Sequence, residues 1–339
     1  MATFSVRLHT RDNHSIDFEC DETEDVVSAA ERQSIILPQQ CRNGVCGFCA
    51  ATTVRGQTTF TDYNEDALTP EQKRNNTVLL CRTWPRSDLE LDTDYRYDEV
   101  RFAKLAAAEH FIVEKAWLTD RVVHLTLEQA GGDELLSAQV QGGQFTYLFT
   151  PQAQIRRSYS LAAPANWDGR LEYLIELVPD GQFSTYLASA KVGERLQVQG
   201  PLGQFVLREH GLRPRWFVGG GTGIAPLYSM LASMAEFGEP QPARLFWGLR
   251  RATDVYLVES LQRLANALPH FNFEICLSRD AQHPYTPSSV IARLAEAVSE
   301  PRASDPDVYI CGSDRLVGAA EGILAQAGVA SERIFTERF

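Results

Sequence analysis

A chain of 339 residues with 44% apolar side chains is long enough for two or three hydrophobic cores rather than one. Its net charge of −12 excludes the basic face that nucleic-acid phosphates demand. Seven cysteines, an odd number, give no disulfide framework and imply a reducing compartment.

The N-terminus alternates polar and apolar residues over 3–10 and again over 15–20, with Arg11, Asp12, Asn13 and His14 between, which predicts a hairpin. The first residues lack the charged-then-apolar layout of a secretion signal, so a cytoplasmic protein is expected. A helix is predicted over 24–33, from Val26, Val27, Ala29 and Ala30. Next come Cys41, Cys46 and Cys49, spaced C-x4-C-x2-C, and a distant fourth cysteine, Cys81. That spacing ties a [2Fe–2S] cluster to protein: three thiolates wrap two irons from one tight loop and a fourth closes the cage. Gly44 and Gly47 let the loop curl inward and aim N–H groups at sulfur. Structural zinc is the alternative, but zinc ligands usually come as two short knuckles, and only half of this set has that form. One or two strands are predicted over 51–60. A short helix should follow, with Thr69 as cap, Pro70 in the first turn and Gln72 reaching back. The charged stretch 92–98 reads as a linker. Residues 1–98 hold 17 Asp and Glu against 10 Lys and Arg, a net −7. The surplus is either an ordinary solvated face or a patch steering a basic redox partner.

From 102 to about 208, short alternating runs at 122–128, 145–149, 171–178 and 195–198 are separated by turn signals, as in an antiparallel barrel. Beyond 212, strands and helices alternate to residue 339, which predicts a parallel sheet covered on both faces. The apolar stretch 216–235 is long enough to suggest a membrane span. Its run of glycines at 219–221 and 223, followed by Pro226, reads better as a loop and a buried helix, and no membrane association is expected.

Three segments carry further chemistry. Arg157, Ser158, Tyr159 and Ser160 lie on one predicted strand, and about twenty residues later Gly181 opens a helix holding Phe183 and Ser184. Free N–H groups at that helix start can receive a pyrophosphate. Gly221, Thr222 and Gly223 sit in a strand-to-helix turn of the form G-x-G-x-x-P, a phosphate-facing position in which Pro226 departs from ordinary dinucleotide dehydrogenases. Cys311 and Gly312 then end a later strand, where ligands of open parallel sheets gather.

Residues 1–98 resemble a plant-type [2Fe–2S] ferredoxin of the β-grasp kind (α+β), in the cysteine loop and in Leu80, Cys81 and Arg82. Residues 102–208 and 212–339 resemble the FAD-binding barrel and the α/β NAD(P)-binding domain of the ferredoxin–NADP⁺ reductase superfamily. The order of the three resembles the single-chain reductases of benzoate- or anthranilate-type aromatic-ring-hydroxylating dioxygenases. The resemblance implies that Arg157, Gly181 and Ser184 hold the FAD pyrophosphate, that Tyr159 packs on the flavin, and that Ser160 sits beside its N5. Ser158 and Phe183 complete the FAD site. Gly221, Thr222, Gly223, Cys311, Gly312 and Phe339 would receive the nicotinamide nucleotide, and Ser160, Cys311 and Glu337 would shape hydride transfer. A flavin must stand between donor and cluster, because a nicotinamide gives two electrons at once and a [2Fe–2S] cluster accepts one. The acceptor implied is a terminal oxygenase or an intermediate ferredoxin. The seven histidines form neither a Rieske pair nor a closely spaced facial triad, so oxygenation belongs to another polypeptide. A reductase of a soluble di-iron monooxygenase has the same modules, and an iron–sulfur carrier without nicotinamide turnover is a further alternative. NADH is the donor the resemblance favours. Ser278 and Arg279 resemble a 2′-phosphate pair and leave NADPH open, while Arg250, Arg251, Asp254 and Asp280 mix signs nearby.

Overall fold

The computed structural model describes every residue except Met1, Ala106, Asp133, 152–154, 282–283 and 301–304, and the Asp66 side chain. Two units emerge, one built mainly from residues 1–106 and the other from most of the remainder.

In the first unit the predicted hairpin forms from Thr3–His9 and Ser15–Asp21. A mixed five-stranded sheet grows from it in the order Ser15–Asp21, Thr3–His9, Leu89–Thr93, Ala50–Arg55, Thr77–Leu79. Its central pairing, Thr3–His9 with Leu89–Thr93, is parallel. The helix Val26–Arg32 starts at Asp25, whose carboxylate accepts from the Ser28 N–H, and buries Val26, Val27, Ala29 and Ala30 in the same core as Val6, Leu8 and Leu91. Thr69 and Gln72 cap each other reciprocally at the start of Pro70–Arg74, as the sequence predicts.

The supposed linker at 92–98 is a correction. Leu89, Leu91, Thr93 and Tyr95 are buried on alternate positions, and Asp92 and Thr93 lie within the strand Leu89–Thr93. The Tyr95 carbonyl accepts from the Arg11 N–H. Charged residues at the outward positions hid the alternation. Beyond them Arg101–Phe102 pairs with Ile35–Ile36.

The second unit holds a barrel and a parallel sheet. Six strands follow the order Arg156–Ser160, Phe145–Phe149, Arg195–Leu202, Ala107–Trp117, Val122–Gln129, Arg170–Glu176. The circuit closes through an antiparallel bridge between Leu161 and Tyr173 and through the Ala162 N–H donating to the Glu172 carbonyl. The longest of these strands, Ala107–Trp117, was not anticipated, because its burial barely alternates.

The sheet order downstream is Phe271–Leu277, Ala243–Leu249, Arg215–Gly220, Asp307–Gly312, Ile334–Arg338, with every neighbouring pair parallel. Both faces are covered. Phe217 and Leu245 pack with residues of the helices Ile224–Glu236 and Val258–Ala267, whereas Val218 and Phe246 pack with Val290–Ser299 and Asp314–Gln326. The first of these cores also takes in Val122, Ala162, Leu174 and Phe205, so the barrel and the parallel sheet share apolar packing. Among the described residues no helix is long and apolar enough to cross a membrane.

Candidate functional site

The cysteine loop is pinned by Arg42. Its guanidinium, almost wholly buried, lies 3.7 Å from Asp25 and 3.5 Å from Glu31 and donates to the Ser28 hydroxyl at 2.7 Å, tying the loop to the helix behind it. Gly47, at φ +73°, approaches the chain so closely that a Cβ there would lie 2.6 Å from the Ala67 carbonyl oxygen. Cys41 Sγ accepts from the N–H groups of Asn43, Val45 and Cys46 at 3.4, 3.5 and 3.4 Å. The Cys46 thiol and these amides draw the Cys41 pKa down to about 5, against the opposing effect of burial. Donation to Cys41 and burial push Cys46 up. Cys81, on the turn Leu80–Arg82, lies with its Sγ 3.3 Å from that of Cys49, which donates to it.

The four sulfurs therefore come as two pairs, Cys41 with Cys46 and Cys49 with Cys81. Two pairs of thiolates are the donor set that two bridged irons require.

Arg157, Ser158, Tyr159 and Ser160 fall, as predicted, on one barrel strand, paired with Phe145–Phe149. Arg157 is exposed and donates to its neighbour's carbonyl, with no carboxylate ion pair among the described residues. Tyr159 is backed by Phe183, ring centroids 5.2 Å apart, and burial pushes its phenol up. Phe183 is buried in the helix Gln182–Ser189, so it supports the tyrosine. Gly181 caps that helix. Ser184 Oγ accepts from the Val178 N–H at 3.0 Å, which spends one of its lone pairs on shaping the turn. An exposed guanidinium, a helix start without a side-chain cap and a braced aromatic fit a flavin dinucleotide.

The third constellation forms where strand ends meet. Gly219 pairs in register with Cys311, and Cys311 with Glu337. A Cβ on Gly223 would fall 2.3 Å from the Cys311 carbonyl oxygen, so the turn can lie against that strand only because the position is glycine. Glu337, only 4% exposed, accepts from the Ser160 hydroxyl at 2.8 Å, and Cys311 Sγ lies 3.7 Å from the same carboxylate oxygen. Burial and the Glu337 charge push the Cys311 thiol well up. Ser160, Cys311 and Glu337, up to 177 residues apart, are thus brought together. Phe339 is 56% exposed. Gly312 follows Cys311 on the strand end, and Thr222 lies half-buried in the turn.

At the rim of the sheet the mixed charges sort themselves. Asp254 and Asp280 accept from the backbone N–H groups of Arg251 and Ala252 at 2.9 and 2.7 Å, and Ser278 Oγ donates to the Leu249 carbonyl. Sequence reasoning missed Trp247 and Tyr256, whose polar tips reach the Gly221 carbonyl. As aromatics near an apolar strand they carry the signal of core residues.

Comparison with known proteins finds three matching families along the chain. Residues 10–86 match the 2Fe-2S iron-sulfur cluster binding domain, 112–207 the oxidoreductase FAD-binding domain, and 217–322 the oxidoreductase NAD-binding domain. The chain is 37% identical over 263 residues to methane monooxygenase component C of Methylosinus trichosporium, covering 76% of each chain. It is 30% identical over 319 residues to the toluate 1,2-dioxygenase electron transfer component of Pseudomonas putida, covering 93% of this chain and 92% of that one. Among solved structures, a cytochrome P450 reductase of Amycolatopsis superposes with a TM-score of 0.81 at 26% identity over 99% of this chain and 98% of that one.

Proposed function

Since the chain belongs to the single-chain reductase components of oxygenases, with [2Fe–2S], FAD and NAD domains, we propose that it carries electrons from NADH to a terminal Rieske-type aromatic-ring dioxygenase. Bound FAD would supply two-electron hydride chemistry, and a bound [2Fe–2S] cluster would supply one-electron release. The observation that carries this reading is the meeting of Ser160, Cys311 and Glu337 beside the glycine turn, in a chain that also holds two cysteine pairs. A second reading, a monooxygenase as the acceptor, has specific support in the 37% identity to component C of methane monooxygenase. Turnover with a purified terminal component of either kind separates the two.

In this reading the domains run over 1–98, 102–208 and 212–339. Cys41, Cys46, Cys49 and Cys81 hold the cluster. Arg157, Gly181 and Ser184 bind the flavin pyrophosphate, Ser158, Tyr159 and Phe183 form the rest of the pocket, and Gly221, Thr222, Gly223, Gly312 and Phe339 receive the nucleotide. Glu337 orients the Ser160 hydroxyl, and Cys311, wholly buried, stands beside them as a neutral thiol. The protein works in the cytoplasm.

Anaerobic titration with NADH, followed by NADPH, tests the whole chain of carriers. Bleaching of both flavin and cluster absorbance by NADH is expected, with NADPH far weaker. Flavin bleaching without a cluster signal would reduce the protein to a flavin reductase. Cys311→Ala should slow flavin reduction by NADH about tenfold without loss of FAD, because a small cavity loosens the floor against which the nicotinamide is placed. An unchanged rate in stopped flow removes Cys311 from the site.

A further inference from the structure

The glycine turn is gripped from behind. The Gly221 carbonyl closes the turn by accepting from the Ile224 N–H. It also accepts from the indole Nε1 of Trp247 at 2.9 Å and from the Tyr256 hydroxyl at 3.4 Å. Trp247 is fully buried on the neighbouring strand, opposite Gly219 in the parallel register, and Tyr256 is 7% exposed. Their rings meet edge-on with centroids 4.9 Å apart, so each holds the other's orientation.

The consequence follows from peptide geometry. Carbonyl and N–H of a trans peptide point in opposite directions. With the Gly221 oxygen drawn toward Trp247 and the backbone at φ +56°, the Thr222 N–H is turned the other way, ahead of the helix Ile224–Glu236. A helix start receives anions through such outward N–H groups. We propose that Trp247 and Tyr256 are positioning residues for the nucleotide: by holding the Gly221 carbonyl they aim the Thr222 N–H at the NADH pyrophosphate. This rests on reading 219–223 as the nucleotide turn. Neither side chain touches the ligand. Their effect is on binding, through the direction of one peptide plane.

The experiment uses the FAD- and cluster-loaded protein. Trp247→Phe keeps most of the ring volume and removes the indole donor. KM for NADH and the calorimetric Kd for NAD⁺ should both rise about tenfold, with kcat at saturation held within about twofold. Tyr256→Phe, which loses the longer bond, should raise both about threefold. FAD content and reduction by dithionite should stay at the wild-type level. Both constants within about twofold of wild type in two folded, FAD-replete variants would overturn the proposal and leave the pair as core packing. If Trp247→Phe fails to retain FAD, Tyr256→Phe decides alone, by a rise or by none. Thr222→Glu tests the premise separately, because its carboxylate would repel a pyrophosphate on the turn. Unchanged NADH binding in that variant means the nucleotide lies elsewhere, whatever Trp247→Phe does.

Discussion

Cys46→Ser should abolish electron delivery to one-electron acceptors, by on the order of a hundredfold or more, while reduction of the flavin by NADH keeps its rate. Cys46 is the least buried of the four cluster cysteines and the donor in the first sulfur pair. A serine hydroxyl is a harder donor than a thiolate and is far less readily deprotonated, so the first pair loses half of its donor set. Nothing in the Ser160, Cys311 and Glu337 constellation depends on that sulfur. Stopped-flow flavin bleaching, iron content per chain and cytochrome c reduction, measured on the same preparation, separate the two activities. A parallel collapse of flavin reduction in protein that retains its FAD would sink the division of labour between the cluster and the nicotinamide site.

Ser160→Ala carries the second large effect. The serine hydroxyl is the short partner of Glu337, at 2.8 Å against 3.7 Å for the Cys311 sulfur. Without it a carboxylate only 4% exposed loses a short hydrogen-bond donor, a costly change that the site relieves by shifting the strand end or admitting water. Flavin reduction at saturating NADH should fall about a hundredfold, the usual scale for losing a positioned proton-bearing group. FAD content should hold, because Arg157, Tyr159 and the turn at Gly181 are untouched. Ser160→Thr, which restores a hydroxyl, should recover much of the rate. Full activity in Ser160→Ala would show that the Ser160–Glu337 bond is structural.

Legibility in the sequence tracked how local the physics was. The hairpin at 3–21, the reciprocal cap of Thr69 and Gln72 and the strand–turn–helix at 215–236 rest on neighbouring residues, and all are found as predicted. The stretch 92–98 misled because Asp92, Asp94 and Arg96 point outward between buried Leu91, Thr93 and Tyr95, and charge is louder than alternation over so few residues. The strand Ala107–Trp117 was missed for the related reason that little of it is fully buried. In the site, motif and spacing gave the cysteines and the glycine turn. The nearness of Ser160 to Glu337 is a product of the tertiary fold, and only family resemblance hinted at it. Trp247 and Tyr256 carry no motif: their part depends on where one carbonyl points.

Burial of the remaining sulfur has a consequence for durability. Cys311 is wholly enclosed, and burial pushes Cys20 and Cys276 up to about 12, so all three stay protonated at neutral pH. Peroxide and electrophiles attack thiolates, and attack needs access. A carrier that feeds an oxygen-consuming partner meets peroxide whenever a turnover misfires. The three cysteines outside the proposed cluster set are shielded from that exposure by their burial, and Cys46, the one cysteine with appreciable access to solvent, is in the proposed reading a cluster ligand.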